Sequence, residues 1–114
     1  MVPKKDGSDR FVLHLKELNK FIETEKFKLE VLRTAIKPIH KGAFMATIYL
    51  KDAFYLISVH PSSRQNLRCY FNDQLYEFVC LSFGFAPCPF IFTKIMKPSM
   101  AYLRSIGLIP YLFR

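Results

Sequence analysis

The sequence predicts a single α+β domain in which an antiparallel sheet packs on helices, and three observations carry that reading. First, residues 66–79 read as a hairpin: Leu67, Cys69 and Phe71 alternate with Arg68 and Tyr70. Asn72-Asp73 supplies the turn, and 75–79 returns. Second, residues 89–104 place Ile91, Phe92, Ile95, Met96, Met100 and Leu103 on one helical face. Third, the chain has 114 residues, 51% of them hydrophobic and 16% aromatic, which suits one domain with one core. Strands joined by a hairpin, rather than strands alternating with crossover helices, exclude a doubly wound parallel sheet.

The elements follow in order. Residues 2–10 form a polar turn segment around Asp6-Gly7, a strong turn signal. Residues 11–15 read as a strand. Leu18, Phe21 and Ile22 give a short helix or turn over 16–22, and the charged stretch 23–30 a solvated loop. Val31, Leu32, Ala35, Ile36 and Ile39 predict a helix over 31–40, with Pro38 and Gly42 marking its end. Residues 43–50 are a β-type run of the sort buried on both faces. Residues 54–59 continue extended, 60–63 turn, and 81–89 form a loop punctuated by Pro and Gly. Pro98 should kink the helix at 89–104, Gly107 should cap it, and 108–113 read as a final strand.

Composition excludes several classes. So much apolar surface excludes a disordered chain. No apolar run approaches the ~20 residues a bilayer span requires, so no membrane partner is expected. No apolar segment follows the polar opening, so no signal peptide is expected; the location read from this is intracellular, cytoplasm or nucleus. Cys69, Cys80 and Cys88 cannot all pair and lack zinc spacing, which predicts reduced, mostly buried thiols and no metal. Seventeen basic against nine acidic residues give a net charge of +8, which attracts polyanions without specifying one.

Four ordered blocks point further. They are Val2-Pro3-Lys4-Lys5-Asp6-Gly7-Ser8 with Arg10 and 15–20; Thr47-Ile48-Tyr49-Leu50-Lys51-Asp52-Ala53-Phe54; Leu81-Ser82-Phe83-Gly84-Phe85-Ala86-Pro87-Cys88-Pro89 with Phe92; and Lys97-Pro98 with Tyr102-Leu103-Arg104 and Gly107. Together they resemble the fingers and palm of a reverse transcriptase from a retrotransposon, DIRS-like or LTR-type. The resemblance covers almost the whole chain. It implies a partial right-hand polymerase fold, fingers-like over 1–42 and palm-like over 43–114, with a fingers hairpin at 66–79 and truncation at the catalytic hairpin. The thumb, connection and nuclease regions of such polyproteins are not in the sequence.

The family activity is RNA-directed DNA polymerisation by two Mg²⁺ ions held on carboxylates. Here the resemblance puts Tyr49 where the first metal-binding Asp belongs, and Phe113 and Arg114 where the Asp pair of the hairpin belongs. A phenol is uncharged at neutral pH, and an Arg repels Mg²⁺. The expectation is a catalytically inactive chain with no cofactor of its own. His14, Asp9 and Ser82 also depart from the family pattern.

By resemblance, Lys4 and Arg10 hold an incoming triphosphate, Asp52 and Ala53 offer backbone contacts to it, and Phe54 is the sugar gate. Phe83 and Gly84 line the nucleotide pocket. Lys94, Lys97 and Arg104 are candidates for the template–primer backbone. Plainer readings stand beside these: a solvated basic loop for Lys4 and Arg10, a core ring for Phe54, a loop turn for Phe83-Gly84. For the α-helical cations the plainer reading, the wet face of an amphipathic helix, is favoured. Tyr70, Phe71, Tyr76 and Phe78 suit core packing better than base stacking. The partners implied are template–primer and dNTP. Alternatives are a non-catalytic nucleic-acid or nucleotide binder, a polymerase subunit completed by another chain, and a relic without function. Twelve Phe residues in a short chain also predict exposed apolar patches and self-association.

Overall fold

A computed structural model describes residues 2–27 and 32–112, with the side chain of Leu32 left aside. Val31, Phe113 and Arg114 lie outside the described residues. Two short antiparallel hairpins and one long helix dominate. β1 (Val2–Pro3) pairs with β2 (Asp9–Arg10), Val2 opposite Arg10. The turn between them is tied by Lys4 N–H to the Ser8 carbonyl at 2.7 Å. Asp6 Oδ1 accepts from the Ser8 amide at 3.0 Å and the Ser8 hydroxyl at 2.7 Å, the local Asp pattern that competes with regular structure. These two bonds hold the Asp6 carboxyl below the usual carboxylate range. The second hairpin is β3 (Arg68–Phe71) with β4 (Gln74–Glu77). Asn72 and Asp73 both have positive φ, +49° and +60°, as a two-residue turn matched to strand twist requires.

Helix α1 (Lys16–Lys20) is one turn longer than a bend, and α2 (Leu32–Ile36) stops before Pro38, which disfavours helix at the residue ahead of it. A 3₁₀ turn spans Ala53–Leu56, and α3 is Pro61–Arg64, with Pro61 at its first position and His60 Nδ1 accepting from the Ser62 amide. Helix α4 (Cys88–Ser105) continues through Pro98.

The core forms where non-adjacent segments exchange backbone bonds. Leu13 N–H donates to the Phe83 carbonyl at 2.9 Å, Val59 N–H to Val79 and Leu81 N–H to Ile57, each also at 2.9 Å. Single bridges at Val12–Phe83 and Ser58–Cys80 mark the same seam. Leu13, Leu67, Leu81, Ser82 and Cys88 are buried there, and Ala35 of α2 is also buried. An aromatic cluster covers it: Phe54, Tyr55, Phe78 and Phe83, with Phe11 and Phe92 at its edges.

Several expectations are corrected. Residues 43–50 form no strand. Phe44 is 104% exposed, Ile48 84% and Tyr49 82%, because no described segment offers this run a backbone partner, and a lone extended chain buries neither face. The strand expected at 11–15 reduces to one bridge at Val12, and the run at 54–59 begins as the 3₁₀ turn. Residues 108–112 are irregular. Tyr70, Phe71 and Tyr76 are exposed, since the hairpin packs no layer against its strands; Phe78 alone of that set joins the ring cluster. Ile95 is half-exposed on α4 rather than on its buried face. The result is an open molecule. Its radius of gyration is 17.4 Å, against about 13 Å for a compact chain of this length. Its accessible surface is 9599 Å², against roughly 6500 Å² for a compact chain of this mass.

Candidate functional site

The β1–β2 turn, the end of the 43–50 run, the 3₁₀ turn and the 81–87 loop meet in one place. Each is delivered by a local rule. The hairpin turn projects Lys4 and Lys5 while β2 carries Arg10. Asp52 opens the 3₁₀ turn in the left-handed region, φ +50°, a conformation Asp tolerates better than most residues. Its carbonyl accepts from Tyr55 N–H at 3.0 Å.

Contacts join the predicted residues into a chain. Lys4 Nζ lies 3.4 Å from Asp52 Oδ1. The Arg10 guanidinium sits 4.5 Å above the Phe83 ring, a cation–π geometry. Phe83 packs on Phe54 at 5.1 Å and edge-on to Tyr55 at 5.6 Å, and Phe54 reaches Phe92 of α4 at 6.0 Å. Burial, then the Asp52 charge, pushes the Tyr55 phenol above its ordinary range. Lys4, Lys5, Asp6, Arg10 and Tyr49 line an open cleft of about 420 Å³ with Val2 and Pro3. The Arg10 Nε is shielded from solvent with no hydrogen-bond partner among the described residues.

The structure thus brings together Lys4, Arg10, Asp52, Phe54 and Phe83, with Ala53 in the same 3₁₀ turn. Tyr49 stands on the cleft wall. Gly84 is adjacent, but its freedom serves the chain: at φ +98° a Cβ would collide with the Leu13 carbonyl. Lys94 and Lys97 are exposed on α4 apart from this cluster, and Lys94 lies 4.9 Å over the Phe90 ring. Arg104 is likewise exposed on α4. The expectations for Phe113 and Arg114 fall outside the described residues.

Three contributors carried no warning in the sequence pattern. Asn19 fastens α1 to the 81–87 loop: its Nδ2 donates to the Gly84 carbonyl at 2.9 Å, and its Oδ1 accepts from Ala86 N–H at 3.0 Å. Lys5 adds a third cation to the cleft, and Tyr55 closes the ring cluster. A lone Asn inside a five-residue helix has no spacing that would signal such a bridge. A second, more apolar cavity of about 390 Å³ lies among Leu18, Ile57, Leu67, Leu81, Phe85 and Ile91.

The cleft does not suit a divalent metal. Asp52 is engaged by Lys4, Asp6 by Ser8, and Tyr49 offers a neutral phenol. No cluster of three or more His, Cys, Asp or Glu able to hold a metal occurs among the described residues. The three cysteines are free, and burial pushes the Cys88 thiol up to about 11. No helix among the described residues is long and apolar enough to cross a membrane.

Compared with known proteins, the chain is similar to transposon polyproteins of Schizosaccharomyces pombe. It is 22% identical to the Tf2-3, Tf2-4 and Tf2-5 polyproteins over 111 residues, 97% of its own length. It spans only 8% of theirs. No family model matches the chain, and no solved structure does. The likeness along nearly the whole sequence supports a mobile-element origin for this region.

Proposed function

We propose that the chain is a reverse-transcriptase-like region of a retrotransposon, with a fingers–palm α+β architecture, that holds nucleotide phosphates and template–primer without polymerising. The single observation that carries this reading is the convergence of Lys4, Arg10, Asp52, Phe54 and Phe83 from three separate stretches of sequence into one cluster beside a cationic cleft. The similarity to transposon polyproteins supports the same origin. In this reading Lys4 acts as a point charge toward phosphate and Arg10 as a planar fork, braced from behind by the Phe83 ring. Lys94 and Lys97 add sequence-blind attraction for a nucleic-acid backbone. Chemistry fails for lack of a carboxylate at the resembling position: Tyr49 stands where a ligand to Mg²⁺ would be needed, and Asp52 and Asp6 are engaged by Lys4 and Ser8. The setting is intracellular, where such partners occur.

Primer extension on an RNA template, with Mg²⁺ and separately with Mn²⁺, tests the inactive half of the proposal. The expected outcome is no templated product, while primer–template binding persists and weakens linearly in log affinity against log salt. Templated synthesis by the chain alone overturns it. Salt-independent or absent binding overturns the binding half.

A further inference from the structure

The cleft disagrees with the metal chemistry of the family it resembles, and the disagreement has a direction. Three cations, Lys4, Lys5 and Arg10, line it together with the Tyr49 phenol and the Asp6 carboxylate. Asp6 already accepts two bonds from Ser8, at 3.0 and 2.7 Å. Asp52, at the rim, already faces Lys4 at 3.4 Å. A divalent cation entering here would have to compete with Lys4 for Asp52 and with Ser8 for Asp6, and would meet like charge from three cations. The same walls favour a bare polyanion. The Arg10 Nε is shielded and unpartnered among the described residues, which is costly, while the Arg10 side chain itself lines the cleft.

We infer that the Lys4–Lys5–Arg10–Tyr49 cleft binds the triphosphate of a nucleotide as the metal-free anion, so that Mg²⁺ weakens binding instead of bridging it. The inference rests on the reading of this cleft as the phosphate-holding site. Its physical content is competition. Mg²⁺ in solution takes the phosphate oxygens and reduces the anion's charge, and a site whose two carboxylates are already engaged by Ser8 and Lys4 has little to offer the complex in return. In a carboxylate-bearing site the same ion strengthens binding, because the protein holds it from the other side.

The test is calorimetric titration of the full chain with inorganic tripolyphosphate and with dATP. Each is run in EDTA and in excess MgCl₂ at matched ionic strength. The expected result is several-fold tighter binding in EDTA for both probes. Lys4→Ala and Arg10→Ala each lower the EDTA affinity by about tenfold or more. Arg10→Ala also removes the brace on Phe83, so its thermal transition is recorded alongside; Lys5→Ala, at an exposed position, gives a smaller loss in a chain that keeps its transition. Tyr49→Asp restores a carboxylate to the wall, and the Mg²⁺ penalty then disappears or reverses. That variant separates the cleft from the general pull of a +8 chain, which one wall residue does not invert. Tighter wild-type binding in MgCl₂, or a penalty that Tyr49→Asp leaves unchanged, overturns the inference and leaves the phosphate-site reading standing. No saturable binding of either probe under either condition overturns both.

Discussion

Segments 78–83 and 43–50 are both apolar and both outside the named helices and strands, yet one is the seam of the molecule and the other lies bare. Within 78–83, Phe78, Leu81 and Phe83 exchange backbone bonds with Leu67, Ile57 and Leu13. Leu81 and Ser82 are buried and the Phe83 ring is packed on three neighbours. Among the described residues, the only backbone bond of 43–50 is Ala43 N–H to the His40 carbonyl at 3.1 Å, and Phe44 is fully exposed. Strand propensity is therefore a preference for a pleated, half-covered environment, not a conformation that a run of residues makes for itself. What separates the two regions is access to a partner's backbone.

The sharpest way to break that comparison is to truncate one side chain in each region. Leu67→Ala, beneath the seam, should cost about 2–5 kcal/mol in chemical denaturation. Phe44→Ala, a larger truncation on the bare run, should stay within about 0.5 kcal/mol. Equal costs would mean that 43–50 is covered in solution. A second experiment sharpens the same point. The exposed run carries no charge and no Pro, the composition that pairs with other chains. Phe44→Lys with Ile48→Lys should shift the chain toward monomer in sedimentation velocity while leaving its thermal midpoint in place. A wild type that is already monomeric would count against the exposed surface as a route to self-association. The smallest effect lies inside the seam. The Ser82 hydroxyl is buried with no partner among the described residues. Ser82→Ala should raise stability by about 1 kcal/mol, read as a higher denaturation midpoint; a loss instead would mean that a bound water satisfies the hydroxyl.

The legible parts of the fold were those whose information is local. The β3–β4 hairpin announces itself through Asn72-Asp73, and α4 through its apolar spacing and Pro89 near its start. Pairings between distant segments were not legible: no pattern in 9–13 or 78–83 states that Leu13 will find Phe83. The run at 43–50 misleads for the same reason in reverse, since its composition is right for a strand and its partner is not among the described residues. For the site, residue type and spacing located Lys4, Arg10, Asp52, Phe54 and Phe83 through a resemblance, while Asn19 and Tyr55 act through contacts that depend on the assembled chain.

Pro98 gives α4 a mechanical character of its own. With no N–H at that residue, the Lys94 carbonyl has no donor within the helix, so bending stiffness is lowest over one turn. The half before it meets the ring cluster through Phe92, 6.0 Å from Phe54, and within that half the Thr93 hydroxyl donates to the Pro89 carbonyl at 2.8 Å. The half after it presents Tyr102 to solvent, as does Ile106 just past the helix end. The ring cluster behind the cationic cleft therefore meets α4 on the near side of Pro98, so a bend at that turn would move the far end without carrying the Phe92 ring with it.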